Sequence, residues 1–478
     1  MPSFNKTSVR DELNRLKTEF QSQSDAGALS NENRLLIESL FTLLELIVSI
    51  FLEKNTKKTD KNSSKPSSQT EKDESALDDH KGSKGKGKKE QDESAYNTRT
   101  TETVTISEAN VCDVCGENLS GTPCLKHERR TKIDIIFEKV VEHVDAEIKA
   151  CPACDSTVKG AFPADMPGAL QYGNGLKAYV INLLVCQMVA LNRVQKSVRA
   201  IMSQTISEAT LLKFVIRLHE ALESWERSAI DELLTMPAMN VDETSLRVDK
   251  KNHWIHAYAA GDITLKRLHR RRGTEAIDDI SIIPRYEGVI IHDCWASYLS
   301  YRHCGHGLCG SHLLRELTFI VDANDYQWAK DMKQLLQGAC KKVSQRKRKR
   351  LMKKEYVTLQ ASYQEIIAQG EQELPVIPEK PKGQRGKMAK SDAHNLWERL
   401  KEYECAVLLF AKESHVPFTN NRAERDLRMS KVKQKVSGCF RTLQYAEAYC
   451  RISSYLQTMA NKGHNPLIAI QMALSGKT

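Results

Sequence analysis

Between residues 238 and 295 the hydrophobic pattern switches from helical to strand-like spacing, and this limits the folds open to the chain more than any other feature. AMNVDETSLRV at 238–248 is a strand candidate bearing Asp242. Residues 254–260 and 264–269 follow as two more strands, with short turns between. After a short helix around 274–280, GVIIHDCW at 288–295 reads as a buried strand ending in Asp293. Its apolar run on both faces suggests a central, parallel position. HGLCGSHLLREL, from His306, would be a fifth strand leading into a helix. A sheet with the first and fourth strands side by side would bring Asp242 and Asp293 together despite their distance in sequence.

Three antiparallel strands, a helix and a parallel strand make the beginning of a ribonuclease H-like sheet. A third carboxylate belongs to a later stretch, VPFTNNRAERDLRMSKVKQKVSGCFR at 416–441. Asn420 and Asn421 suit the N-terminus of a helix. Helical spacing then aligns Glu424 with Arg428, Lys431 and Lys435 on one face. A carboxylate in line with three cations can hold a metal ion beside a phosphate backbone. A solvated helix with a Glu424–Arg428 pair worth roughly 0.3 kcal/mol explains the same charges. Either aspartate alone is more often a strand-end turn. Both in these strand contexts, with Glu424 on a later helix, is a far more specific coincidence.

Other segments carry their own signals. Residues 1–53 read as a coiled-coil-like helix: Leu29, Leu36, Leu43 and Ile50 fall seven apart, with Asn33, Leu40 and Ile47 on the alternate seam. Packing of that helix on the chain's own core is the equal alternative. Residues 54–105 are Lys, Ser, Asp, Glu, Gly and Gln with few apolar exceptions, and are expected to be a disordered linker. Residues 106–165 contain Cys112-x-x-Cys115 and Cys151-x-x-Cys154, two knuckles able to supply four thiolates to structural zinc. KIDIIF and VVEHV between them are expected to be strands, and Cys124 and His127 are alternative ligands. Residues 166–236 read as helices in which Arg193, Lys196, Arg199 and Lys213 could form a helix-turn-helix that touches DNA. Simple bundle packing is equally open.

The core is expected in two parts, 237–324 and 404–440, around a helical basic insertion at 325–403, with closing helices at 441–478. The insertion carries KKVSQRKRKRLMKK, nine cations with no acid, including Lys347, Arg348, Lys349 and Arg350. Such a run is usually a solvated helix face, but in this company phosphate contact is favoured. Cys304, His306, Cys309 and His312 invite a second zinc site, which a strand cannot easily fold around one ion.

A net charge of +10 over 478 residues suits an acidic partner such as nucleic acid. Thirteen cysteines read as reduced thiols or metal ligands rather than disulfides. The polar N-terminus predicts no signal peptide, and residues 35–52, interrupted by Glu38 and Glu45, are not expected to span a membrane.

NNRAERDLR and KVSGCFR resemble the segment with the last catalytic glutamate in the DDE transposases of insertion-sequence family sixty-six. VDETSLRV and HDCWASY resemble its first two catalytic aspartates, and KNSSKPSS, QYGNGLKAYVINLL and the CxxHxxRE wording at Cys309, His312, Arg315 and Glu316 also match. The resemblance implies a multidomain α+β chain. Its ribonuclease H-like catalytic core would be a mixed five-stranded sheet with helices, interrupted by the helical insertion. A zinc-binding module and an N-terminal coiled-coil helix would precede it. Asp242, Asp293 and Glu424 would hold two Mg²⁺ ions, with Mn²⁺ as the alternative. His312, Arg315, Asn421 and Arg425 would support them. It also implies double-stranded DNA as partner (element ends and target), a homo-oligomer, small accessory transposition proteins and a cytoplasmic location. The rival readings are an inactive DNA-binding remnant or regulator that keeps the zinc module, and a nuclease or resolvase of the same fold.

Overall fold

The computed structural model describes residues 6–26, 29–59, 62, 102–135, 137–378 and 389–477; most of the linker expected at 54–105 lies outside them. The chain opens with helices α1 (Lys6–Asp25) and α2 (Asn31–Asn55), then strands β1 (Ile148–Ala150) and β2 (Thr157–Lys159). Helices α3 (Asn174–Ile181), α4 (Leu191–Met202), α5 (Glu208–Ala221) and α6 (Glu223–Thr235) follow. The main sheet begins with β3 (Ala238–Val248), β4 (Lys251–Ala260) and β5 (Ile263–His269). After α7 (Thr274–Ile280) come β6 (Val289–His292), α8 (Ala296–Leu299) and β7 (Gly305–Leu308). The remainder is helical: α9 (Gly310–Asn324), α10 (Gln327–Gln345), α11 (Lys353–Glu373), α12 (Asp392–Glu402), α13 (Glu404–Lys412), α14 (Asn421–Ser437), α15 (Leu443–Asn461) and α16 (Pro466–Leu474). Two compact units result. One is built on the N-terminal helices and Leu218–His464; the other takes the cysteine segment, the helices up to Arg217, and Asn465–Lys477.

The sheet of the first unit runs β5-β4-β3-β6-β7. β3, β4 and β5 are antiparallel neighbours, and β3 pairs β6, and β6 pairs β7, in parallel. Two-residue turns set the hairpin registers. Asp249 and Lys250 both take left-handed backbone between the paired Val248 and Lys251, as a primed turn requires, and Gly261 does the same between β4 and β5. β6 is buried on both faces, as its sequence suggested. Ile290 joins a cluster with Met239, Val241, Tyr258 and Tyr286, while Ile291 joins Leu308, Leu317, Trp328 and Phe410 on the other side. The outer strand β5 is covered by α15, whose Ser454 and Thr458 hydroxyls accept from the backbone N–H groups of Lys266 and Thr264 at 2.7 and 3.1 Å. An edge that would otherwise offer free donors is thereby closed.

Several expectations change. The N-terminal segment is a helical hairpin rather than one helix: α1 ends at Asp25, and Ser30 caps α2 by accepting from the Asn33 N–H. Leu46, Ser49, Leu52 and Glu53 of α2 are buried, and Glu53 accepts hydrogen bonds from the Asn324 side chain and the backbone N–H of Ala393, both at 3.0 Å. The heptad residues Leu36, Leu40, Leu43 and Ile47 stay exposed. The helix therefore packs on its own chain with one face and turns the seam outward with another. By length and composition alone, α2 is also long and apolar enough to cross a membrane. The start of the expected linker is ordered, since Lys58 lies over the Phe319 ring and Asn62 donates to Asp322 at 3.0 Å. The apolar run GNGLKAYVINLLVCQMVALNRV at 173–194 does not form one continuous helix: α3 passes into a short π-helix, and Met188 takes left-handed backbone before α4. The basic run ends as a turn, because α10 stops at Gln345 and residues 346–350 are non-helical. α16 does not close the sheet unit; it packs against α3.

Candidate active site

Asp242 and Asp293 are brought together by strand register. β3 pairs with β6 up to Asn240 opposite Ile291, and the same offset carried two residues further sets Asp242 level with Asp293. Asp242 is partly exposed between the buried Val241 and Glu243. Burial raises its carboxyl well above the ordinary aspartate range, and the charges of Glu243, Asp293 and Glu424 raise it further. Asp293 follows directly on the last paired residue of β6 and accepts from the Trp295 N–H at 3.1 Å, in a turn where Cys294 takes left-handed backbone.

That turn rests on a pair of neutral histidines. The Cys294 N–H donates to His292 Nδ1, so the His292 proton sits on Nε2 and points to His306 Nδ1, 3.1 Å away. His306 Nε2 then donates to the Tyr301 carbonyl at 3.2 Å. Burial and the neighbouring His306 push the His292 pKa down to about 3, so the arrangement stays uncharged.

Glu424 is delivered by the N-terminus of α14, and Asn420 fixes that terminus. Asn420 does not cap α14 with its side chain, as its position suggested. Its amide instead crosses to β3, donating to the Val241 carbonyl at 2.8 Å and accepting from Asn240 at 2.9 Å. Its backbone N–H donates to Cys309 Sγ at 3.1 Å, and the Gly310 N–H donates to the Phe418 carbonyl at 2.7 Å. A Cβ at Gly310 would run into the Phe418 ring, so only glycine permits this approach. The residue beside Asp242 and the residue four before Glu424 are thus joined directly. Cys309 and His312 flank Glu424: Cys309 Sγ is 4.0 Å and His312 Nδ1 3.5 Å from Glu424 Oε1. Burial raises the Cys309 thiol, opposed by N–H donors from Asn420, His312 and Ser311.

A second carboxylate, Glu243, lies next to Asp242. Its side chain accepts from Arg272 at 2.7 Å and from the Tyr298 hydroxyl at 2.6 Å. Arg272 lies over the rings of Trp254 and Trp295, 5.0 and 4.3 Å from their centroids.

The remaining expected residues are placed unevenly. Arg428 and Lys435 are exposed on the Glu424 face of α14, and Asn421 and Arg425 are exposed near its start. Lys431, expected on that outward face, instead reaches back to β3 and donates to the Ser245 carbonyl at 3.0 Å and hydroxyl at 2.9 Å. Arg315 Nε donates to the Ser311 carbonyl of its own helix at 3.2 Å. Lys347, Arg348, Lys349 and Arg350 are exposed in the turn after α10. Asp426 is buried and accepts from the Thr264 hydroxyl at 2.6 Å, so it does not face Glu424; Glu316 is paired with Arg399. Of the second zinc set, Cys304 points to the Tyr286 carbonyl and His306 to His292, so only Cys309 and His312 converge.

The two knuckles repeat one backbone pattern. The Cys112 N–H donates to the Glu117 carbonyl and the Gly116 N–H to the Cys112 carbonyl. Cys151, Ser156 and Asp155 do the same, and Gly116 and Asp155 both take left-handed backbone. N–H groups of Cys115 and Val114 point at the Cys112 thiol and hold its pKa below the usual cysteine range. The hairpin here is β1–β2 around the second knuckle; KIDIIF and VVEHV are not strands among the described residues. Cys112, Cys115, Cys151 and Cys154 do not converge into one group of close ligands. The group of three or more found among the described residues is Cys309, His312 and Glu424.

A mixed five-stranded sheet in this order, with helices on both faces, fits a ribonuclease H-like core. The model of the Transposase IS66 family matches residues 169–448, more than half of the chain, and the protein belongs to that family. The match takes in Asp242, Asp293 and Glu424 and begins after the second knuckle. No curated protein matches the chain.

Sequence reasoning missed His292, Glu243 and the crossing amide of Asn420. All three lie inside the quoted motifs: Asn420 opens NNRAERDLR, Glu243 follows Asp242 in VDETSLRV, and His292 opens HDCWASY. Their partners come from other strands and loops, which no local pattern reveals.

Proposed function

We propose that this transposase binds the ends of its insertion sequence and catalyses DNA cleavage and strand transfer, with Asp242, Asp293 and Glu424 as the metal-holding carboxylates. The observation that carries this reading is geometric: strand register sets Asp242 level with Asp293, and Asn420 ties the start of the Glu424 helix to the backbone beside Asp242. Such a cluster fits hard divalent cations, which take carboxylate oxygens and keep waters. Two Mg²⁺ ions there would activate water, and then a 3′-hydroxyl, for in-line displacement at phosphorus. The chain's own residues set the geometry. Strand pairing and the His292–His306 pair hold the two aspartates, and Asn420 holds Glu424 to β3. Arg428 and Lys435, on the outward face beside Glu424, receive the phosphate backbone, and Lys347 to Arg350 extend the basic surface. No covalent protein–DNA intermediate is needed.

The zinc-binding role belongs to the same reading. The repeated knuckle turn, with N–H groups aimed at the Cys112 thiol, supports Cys112, Cys115, Cys151 and Cys154 as the thiolates that one structural zinc would draw together. The exposed seam of α2 supports self-association of the chain. The setting is cytoplasmic, where thiols stay reduced and DNA is the partner.

The test is cleavage and affinity on one element-end duplex. Glu424→Gln removes a ligand charge and keeps the helix, so cleavage should fall by roughly 10³-fold with DNA affinity unchanged or tighter. Asp242→Asn and Asp293→Asn should match it, and their losses should not add. Cutting by Glu424→Gln near the parental rate would refute the assignment. A parent that binds such DNA and cuts none would favour the regulator.

A further inference from the structure

We propose that Cys309, His312 and Glu424 form a zinc site of their own, which shares Glu424 with the magnesium centre and so sets zinc against magnesium. The sharing rests on the proposed role of Glu424; the site itself does not.

Its first support is the seat of Cys309 at the start of α9, beside Glu424. The Asn420 N–H donates to Cys309 Sγ at 3.1 Å. A donor of this kind stabilises a metal-bound thiolate and opposes the burial that raises this thiol.

The second support is spacing. Tetrahedral zinc with ordinary Zn–S, Zn–N and Zn–O bonds sets its ligand atoms about 3.4–3.6 Å apart. His312 Nδ1 is 3.5 Å and Cys309 Sγ 4.0 Å from Glu424 Oε1, and all three ligand atoms lie within 4.8 Å of one another. The His312–Glu424 contact already has that spacing, and Cys309 Sγ needs about 0.5 Å to reach it from Glu424. The third support is His312 Nδ1 itself, a buried nitrogen with no hydrogen-bond partner that faces this carboxylate. Buried polar atoms are rarely left so; a metal bond would use it.

The donor set chooses the ion. A thiolate and an imidazole favour zinc over magnesium, which prefers oxygen ligands and octahedral geometry. Three protein ligands leave a fourth position for water. With zinc in place, Glu424 no longer serves magnesium. Zinc in excess of the four-cysteine centre then slows cleavage.

The experiment is zinc titration of metal-stripped full-length protein, comparing the parent with Cys309→Ser and His312→Gln. Neither variant touches the four-cysteine segment, so a difference in uptake reads this site alone. The parent should take up one more equivalent of zinc per chain than either variant. Equal uptake by all three overturns the site. If circular dichroism shows that Cys309→Ser has lost its fold, His312→Gln decides. Magnesium-dependent cleavage is then titrated with zinc, and His312→Gln should need at least about tenfold more zinc for half-inhibition. Equal zinc sensitivity overturns the sharing of Glu424. A parent that cuts no DNA refutes the proposed function while the uptake result still decides the site.

Discussion

Residues 238–308 and residues 111–160 both contain short strands joined by tight turns, yet they reach order by different means. In the first, side chains do the work: Met239, Ile255, Ile290 and Ile291 are fully buried, and helices cover both faces. In the second, Val114, Leu125 and Ile133 are 95%, 100% and 90% exposed, so almost no apolar surface leaves water. What is ordered there is backbone, in two knuckle turns with the same hydrogen bonds. Burial of tens of residues specifies the sheet without any ligand. A segment without a core needs a cross-link or a metal to fix its fold. The same word, strand, covers a self-supporting element in one place and a backbone turn without a core in the other.

Metal removal is the strongest way to break this comparison. Stripping zinc, or substituting Cys112→Ser or Cys151→Ser, should release about one zinc per chain from the proposed four-cysteine centre. Limited proteolysis should then cut within residues 106–165, while the thermal transition of the sheet unit stays in place. Cleavage that spreads equally into residues 238–308 would show that the two regions depend on one another, contrary to this account.

Asn420→Ala is the counterpart within the sheet unit. It removes a buried side chain that bonds the Val241 carbonyl and Asn240, and leaves both unpaired. Urea unfolding should show a loss of about 2–4 kcal/mol, with no change in zinc content. Cleavage should fall as well, since Glu424 loses its link to β3. A variant of parental stability would mean that the amide is not the joint described.

How much of this was legible beforehand follows the same division. The strands carrying Asp242 and Asp293 were readable because burial writes itself into sequence: the GVIIH run marks a doubly covered strand. α14 and its Glu424 face were readable from helical spacing. The destination of individual side chains was not. Lys431 shares a helical face with Arg428 in sequence, but only the nearness of Ser245 turns it inward. Asn420 reads as a cap because local rules offer nothing else for it. The hairpin of α1 and α2 escaped because the heptad pattern runs up to its connecting residues without a proline. In the cysteine segment, apolar wording at KIDIIF suggested strands, yet its described residues are irregular and exposed, with no partner surface to bury against.

Titration of Asp242 sharpens the comparison by a smaller amount. Its pKa in the folded, metal-free protein is raised by burial and by Glu243, Asp293 and Glu424. The ionised form therefore opposes folding. That cost is absent below the unfolded aspartate pKa, grows as pH rises towards the folded value, and is constant above it. Asp242→Asn should melt higher than the metal-free parent at neutral pH, by roughly 2–4 °C. The advantage should vanish as pH falls through the acid range. Added Mg²⁺ should reverse the order, stabilising the parent alone. An advantage that persists unchanged at low pH would point to packing rather than charge.

The smallest effects concern which cations meet DNA, and they divide a single helix. Arg428 is exposed, so Arg428→Ala should lower the slope of log affinity against log salt by about one, and weaken binding by about 1 kcal/mol. Lys431 is half-buried with burial lowering its pKa, and its ammonium is held by Ser245. Lys431→Ala should therefore leave the salt slope unchanged and cost the fold about 1 kcal/mol instead. Arg348→Ala, in the turn after α10, should resemble Arg428→Ala. The measurement is a salt series on one element-end duplex for the three variants, beside their urea midpoints. Should Lys431→Ala lower the slope as Arg428→Ala does, Lys431 leaves β3 when DNA arrives, and the helix face expected from spacing alone is the one that binds.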